Sequence, residues 1–398
     1  MTAGPHPHSG AAEPAIEDHR RAVRQWIDGV EGDLRTTRAS CRTLADDMAY
    51  NRHVSARVWE TGFTRWGWPK GAGGFDGSPL LRAVAAEELT LRGLVHQNIF
   101  AMPEILGAGF AAMASAALVE EHLEAYLRGD DWWCQGFSEP EAGSDLANLR
   151  TRAVRHDDVF VVNGQKVWTT LAQFAQRCVL LARTGPPDSA HRGITAFLVD
   201  MDTPGITVRP LRGMNGDDEF SECFFDDVEV PSGRIIGELD GGWKVAMQIL
   251  AFERATIFWT RAAWLLERLG RLLPRAAADP GAAALIGDAY QQVAALRARS
   301  RRTQHTMAAG RFVAAESSVD KVLMAAAEKA VFEAALELLD DGVLTDAGGT
   351  DAGGTDAEGT AAVWRNQYLY SRAASIYGGT GEIQRNIIAE RLLGLPRG

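Results

Sequence analysis

Val159-Phe-Val-Val-Asn-Gly-Gln-Lys-Val-Trp168 is the stretch on which the architecture turns. Apolar and β-branched residues dominate it, and it is interrupted by Asn163-Gly164, a pair suited to the φ > 0 positions of a tight hairpin. The reading is two strands meeting at Asn163-Gly164. Working outward, Ile194 to Asp200 is a second apolar strand, and Glu219 to Val230 a third strand region that Pro231 ends. The chain from Asp131 to Gly237 therefore reads as β.

Both flanks read as helix. On the N-terminal side Ala22, Val23, Trp26, Ile27 and Val30 recur at helical spacing, and Ala and Leu dominate from Leu80 to Leu127. Only the Gly- and Pro-rich loop Gly67–Pro79 breaks that run. Helical spacing returns through Met247–Leu273, Ala282–Ala309 and Val319–Leu339, and again near Val363 and after Gly381. Between them, three tandem copies rich in Gly and Asp at 345–360 are too polar to bury a core and read as a surface loop. The expected domains are 1–130 helical, 131–239 β, and 240–398 helical with the 345–360 insert.

Composition narrows the function. The 398 residues carry a formal charge of −11, which argues against a nucleic-acid binder needing a basic face. The four cysteines, Cys41, Cys134, Cys178 and Cys223, form no CxxC pair and read as scattered core thiols rather than a zinc site or disulfide framework. The His6–His8 pair reads as part of a polar tail. No apolar run is long enough to span a bilayer, and a reducing cytoplasm is the expected location.

Two constellations point to chemistry. Gln135-Gly-Phe-Ser-Glu-Pro-Glu-Ala-Gly-Ser-Asp145 places small residues and hydroxyls where a strand gives way to a loop, so backbone N–H groups, Ser138 and Ser144 can converge on a planar polar ligand. A plain turn is the alternative for Ala-Gly-Ser alone. The second constellation, Asn163 to Thr170, delivers an indole at Trp168 and hydroxyls at Thr169 and Thr170. Together they suit a flat heteroaromatic cofactor, not a metal.

SEPEAGSDLANLRTRA (138–153), VNGQKVWTT (162–170), ITAFLVDMDTPGITVRPL (194–211), FDDVEVP (225–231) and YGGTGEIQRNIIAERLLGLPR (377–397) resemble the signature blocks of the acyl-CoA dehydrogenase family. Their order and spacing match too, over nearly all of the chain after about residue 60. The resemblance implies an α+β multidomain fold: an N-terminal helical domain, a central β-barrel and a C-terminal four-helix bundle, with FAD between barrel and bundle. It implies that Ser138 bonds the flavin pyrimidine edge, Trp168 lies beside the isoalloxazine and the Thr170 hydroxyl faces N5. Gln135, Phe137, Gly143, Ser144 and Thr169 complete that surface, and Thr380 and Glu382 supply contacts from the C-terminal helices. Ser144 also faces the CoA portion of the substrate.

Dehydrogenation requires a carboxylate to take the α-proton, held in a low-dielectric pocket. The most familiar family pattern carries it in Tyr-Glu-Gly, where this chain has Tyr377-Gly378-Gly379. A second family arrangement places the Glu on the first bundle helix immediately before an Arg. Leu250-Ala-Phe-Glu-Arg254 matches it, so Glu253 is the candidate base, with an exposed helix ion pair as the alternative. The apolar stretch Val245 to Trp259 around it would raise its pKa. Phe252, Arg254 and Tyr377 are the accompanying substrate contacts. In the family the main-chain N–H at position 378 binds the thioester carbonyl, a role Gly378 retains.

Many family members carry an Arg-x-Gln-Phe-Gly block that reaches the neighbouring subunit's FAD; here the region reads Arg299-Ser-Arg-Arg-Thr-Gln-His305 with no Phe-Gly. A homo-oligomer (dimer or tetramer) or a hetero-oligomer with a related chain is therefore expected. Trp66, Trp68, Trp132, Trp133, Trp243, Trp259 and Trp264 read as core aromatics, with an acyl pocket as the alternative. The leading function is an acyl-CoA dehydrogenase passing electrons to an electron-transfer flavoprotein. An oxidase or desaturase acting on an acyl-carrier-protein thioester and a non-catalytic subunit are the competitors.

Overall fold

The computed structural model describes residues 13–277, 279–311, 313, 315–339 and 361–396, with only the backbone at 254–256. His6–His8 and the 345–360 insert lie outside the described residues.

The N-terminal layer is helical: α1 (Ile16–Ala39), α2 (Leu44–Thr61), α3 (Pro79–Leu91), α4 (Gln97–Met102), α5 (Ala108–Met113) and α6 (Ala116–Arg128). Buried Val23, Ile27 and Leu34 make one stripe along α1, the spacing that lets a helix hide one face. A capping box starts α2, with the Thr43 hydroxyl on the Asp46 N–H and the Asp46 carboxylate on the Thr43 N–H. Pro79 opens α3 behind the Ser78 cap. Between α4 and α5 the chain makes a π-helical turn at Pro103–Gly107.

The centre is a sheet of eight strands: β1 (Trp133–Gly136), β2 (Arg152–His156), β3 (Val159–Thr170), β4 (Arg177–Arg183), β5 (Ile194–Asp200), β6 (Ile206–Leu211), β7 (Phe220–Pro231) and β8 (Ile235–Ile236). Its order is β6-β7-β3-β2-β4-β5-β8, with β1 parallel to β4. The ladder thus has two ends, β6 and β8. Side chains from most strands meet in one cluster, including Cys134, Phe160, Cys178, Phe197, Cys223 and Val230, so the sheet curls around its own core.

The hairpin expected at Asn163-Gly164 is absent, because both residues lie inside the continuous strand β3. The reversal comes earlier, at Asp157-Asp158, where His156 pairs with Val159 and Asp157 takes φ +51°. Gly164, at φ +154°, serves a β-bulge instead: the register against β7 shifts there, and a Cβ would lie 2.6 Å from Thr151 Cα. Asn163 Nδ2 donates to Asp227 Oδ1 across the pair at 2.9 Å. A dipeptide made for positive φ marked a close approach of backbones, not a turn.

The C-terminal layer comprises α7 (Gly242–Ala276), α8 (Pro280–Ala308), α9 (Ser317–Leu338), α10 (Ala361–Ser371) and α11 (Gly381–Ile387). At 35 residues α7 is about 52 Å long and touches every layer. Its Ile257, Ala262, Leu265, Leu269 and Leu272 are buried in the main core, where each fully buried Leu or Ile contributes roughly 1.5–3 kcal/mol. A buried ionic cluster links α1, α3 and α8: Glu87 accepts from Arg20 at 2.8 Å and from Arg297 at 2.7 Å. Trp66, Trp68, Trp132, Trp133 and Trp259 are buried and Trp243 and Trp264 half-buried, as core packing requires; Trp133 stacks on Tyr126 at 4.4 Å. The four cysteines are free.

Candidate active site

A second register shift in β3, between Lys166 and Thr169, turns one side chain out of the sheet. Trp168 sits there at φ +59° with 62% of its surface exposed, its indole edge against Phe220 at 5.9 Å. Bulges re-aim side chains in this way. Thr170 follows, half-buried opposite Phe220, and the next N–H, of Leu171, donates to the Glu219 carbonyl at 2.7 Å.

The Ser138 segment is fastened to this rim. Val167 N–H donates to the Ser138 carbonyl at 3.0 Å. Buried Lys166 Nζ donates to the Phe137 carbonyl at 3.1 Å and to Glu139 Oε1 at 2.7 Å. Glu139 also accepts the N–H groups of Arg150 and Thr151. Burial pulls the Lys166 ammonium below its usual range. Burial pushes the Glu139 carboxyl upward, but the Lys166 charge and the hydrogen bonds outweigh it and hold that carboxyl low. Gly143 and Ser144 stand exposed on the following loop, with open space beside Gly143, while Gln135 is half-buried in β1. Phe137 and Thr169 are buried beneath the rim, so they shape it rather than present a surface.

Across from this rim, Tyr377-Gly378-Gly379 makes a left-handed turn before α11, with φ of +64° and +93° at the glycines. Buried Gln384 Nε2 donates to the carbonyls of Gly378 and Gly379 at 3.2 and 3.4 Å, and the Thr380 hydroxyl caps α11 by accepting from Ile383 N–H. Glu382 is exposed in the first turn.

Glu253, from α7, reaches this turn. A Cβ built on Gly378 would lie 2.7 Å from Glu253 Oε1 and 3.4 Å from Lys321 Cε. The structure thus brings together two residues 125 positions apart in the sequence. Val245, Ile249, Ile257 and Phe258 are buried around Glu253 on the same helix, and Phe252 packs half-buried on the core. The Arg254 side chain lies outside the described residues.

Several neighbours escaped the sequence. Besides Gln384, Lys321 donates to the Ala374 carbonyl and holds its ammonium 4.5 Å from the Tyr377 ring centroid. Arg261 Nη2 donates to Tyr377 Oη at 3.1 Å and to Asn98 Oδ1 at 3.0 Å, and its Nε lies 3.4 Å from Glu328 Oε2. Asn98 Nδ2 in turn donates to Glu219 Oε1 at 3.1 Å, where Tyr370 Oη also donates at 3.4 Å. Burial pushes the Glu219 carboxyl up to about 7 and the Glu328 carboxyl upward as well. The only sequence signal was that Arg261 stands two helical turns from Glu253, on the same face.

An exposed indole at Trp168, hydroxyls at Ser138, Ser144 and Thr170, and the open space beside Gly143 are groups able to contact a flat ring system with polar edges. Among the described residues no group of three or more His, Cys, Asp or Glu is placed to hold a metal. No helix among them is long and apolar enough to cross a membrane.

The chain is similar to known proteins in sequence and fold. The family model for the acyl-CoA dehydrogenase middle domain matches residues 134–228, and that for the C-terminal domain residues 240–393. Acyl-CoA dehydrogenase IpdE1 of Mycolicibacterium smegmatis is 34% identical over 96% of this chain and 98% of its own. Among solved structures, the Tcur3481-Tcur3483 steroid ACAD superposes with a TM-score of 0.81 at 23% identity, covering 97% of this chain and 99% of that one. The ChsE4-ChsE5 complex from Mycobacterium tuberculosis gives 0.79 at 25% identity, over 98% of this chain and all of that one.

Proposed function

Because the chain belongs to the acyl-CoA dehydrogenase family of FAD-dependent oxidoreductases, we propose that it converts an acyl-CoA to its trans-2-enoyl-CoA, with Glu253 removing the α-proton. One observation carries this: the Glu253 carboxylate fills the space beside Gly378 that a side chain at 378 would need. The carboxylate missing from the Tyr-x-Gly turn is supplied to the same place by another helix.

FAD fits the rim around Trp168. Ser138, Ser144, Trp168 and Thr170 would hold it, with Thr380 and Glu382 from the opposite side. When bound, FAD supplies the acceptor for the β-hydride. The chain's own residues do the rest. Gly378, in a turn fixed by Gln384, presents main chain to the thioester carbonyl, whose oxygen gains charge as the α-proton leaves. Glu253 takes that proton from within an apolar stretch of α7. Tyr377 and Phe252 bound the acyl group.

An electron-transfer flavoprotein is the expected electron acceptor. A related second chain is the expected partner, because the Phe-Gly of the inter-subunit block is missing and two of the matching structures are named as pairs of chains.

Replacing the base tests the reading. Glu253→Gln should keep bound FAD yet slow anaerobic flavin reduction by acyl-CoA by more than about a hundredfold, the scale of general-base catalysis. Unchanged reduction removes Glu253 from the role.

A further inference from the structure

Polar groups pack behind Tyr377. Asn98 from α4, Glu219 at the start of β7, Arg261 from α7 and Tyr370 from α10 form one hydrogen-bonded cluster against Tyr377. The cluster touches the reaction elements on both sides. Tyr377 immediately precedes Gly378, and the Glu219 carbonyl holds the Leu171 N–H, one residue beyond Thr170. Arg261 follows Glu253 on the same face of α7.

These groups are buried, yet they do not satisfy one another. Glu219 is 7% exposed and receives both of its bonds on Oε1, leaving Oε2 with none among the described residues. Arg261 is 4% exposed and, among the described residues, hydrogen-bonds only through Nη2; its Nε has an ion pair with Glu328 but no hydrogen bond there. Buried polar atoms are normally paired, so a cluster with spare donors and acceptors packed against Tyr377, the residue before Gly378, has capacity for a ligand atom. A purely hydrocarbon acyl group would seal these atoms away unmet, which is the situation in which hydrogen-bonding sites reject an analogue most strongly.

We propose that Asn98, Glu219 and Arg261 recognise a neutral oxygen, hydroxyl or keto, carried on the acyl group, so that the preferred substrates are oxygenated acyl thioesters rather than plain fatty acyl ones. The inference rests on the dehydrogenation proposed above. A neutral oxygen fits better than a carboxylate, because Arg261 already has Glu328 as its ion-pair partner and Glu219 stands in the same cluster. A further anion would compete with Glu328 for Arg261 and lie beside the Glu219 carboxyl.

The test uses full-length, FAD-loaded protein and matched pairs of acyl-CoAs, straight-chain and ring-bearing, that differ by one hydroxyl or keto oxygen. Anaerobic flavin bleaching gives kcat/KM for each member. At least one oxygenated member should exceed its plain partner by about tenfold or more. Asn98→Ala, and separately Glu219→Ala, should bring that ratio close to one while the plain partner's rate stays within about threefold. A merely structural role would slow both members alike and leave the ratio intact, which overturns the proposal, as does a preference for carboxylated acyl groups. Bleaching only by plain members overturns it too and leaves the dehydrogenation standing. A flavin that no member bleaches sinks both.

Discussion

Gly378 holds a left-handed backbone, and a Cβ there would lie 2.7 Å from Glu253 Oε1. Gly378→Ala therefore meets two penalties: about 1–2 kcal/mol for a Cβ in that conformation and displacement of the base. We expect a lower melting temperature and at least a tenfold slower flavin reduction; wild-type rates would mean the carboxylate has room to spare. Glu219 gives a pH signature. Protonated in both states below about pH 4.5, it ionises first in the unfolded chain, so stability falls as pH rises toward about 7 and then levels, a loss of roughly 3 kcal/mol. Urea unfolding at acidic and alkaline pH should show a smaller fall for Glu219→Gln; equal falls would place the titration elsewhere. Single residues could be proposed from sequence where a motif contained them, as Ser138, Trp168 and Glu253 were. Asn98, Glu219, Arg261 and Tyr370 were not, because each alone resembles an ordinary residue of its element and only folding gathers them.

At the scale of elements, β3 shows how a correct reading of propensity misplaces geometry. Its β character was evident, but Asn163-Gly164 became a bulge because Thr151 packs against Gly164 from the neighbouring strand, a contact invisible from local sequence. The bulge that matters, at Trp168, carries no Gly at all. What fixes it is the Lys166–Glu139 pair beneath, which ties the rim to the Ser138 segment. Lys166→Met strands a buried carboxylate and should cost roughly 3–5 kcal/mol. FAD affinity, followed by fluorescence titration, should fall with it. Adding Glu139→Gln should restore much of the stability; a double variant as unstable as the single would show that the pair is not the determinant.

Across the whole molecule, the order helix, sheet, helix was legible because each segment keeps one hydrophobic period for a hundred residues or so. How the layers are joined was not. Glu87, fully buried, is shared by Arg20 of α1 and Arg297 of α8, so one carboxylate ties the N-terminal layer to the C-terminal one in addition to their shared apolar core. Glu87→Gln should destabilise the chain by roughly 3–5 kcal/mol in urea unfolding, and an unchanged midpoint would show the layers to be held by apolar packing alone.

The sharing of one small volume by positions 253 and 378 also bears on descent. Installing Glu at 378 while Glu253 remains sets two like charges in contact; removing Glu253 while Gly378 remains leaves no base. Either route between the two arrangements of the family passes through an impaired ancestor. Neither substitution alone therefore converts one arrangement into the other; only the paired change keeps a single carboxylate in that volume.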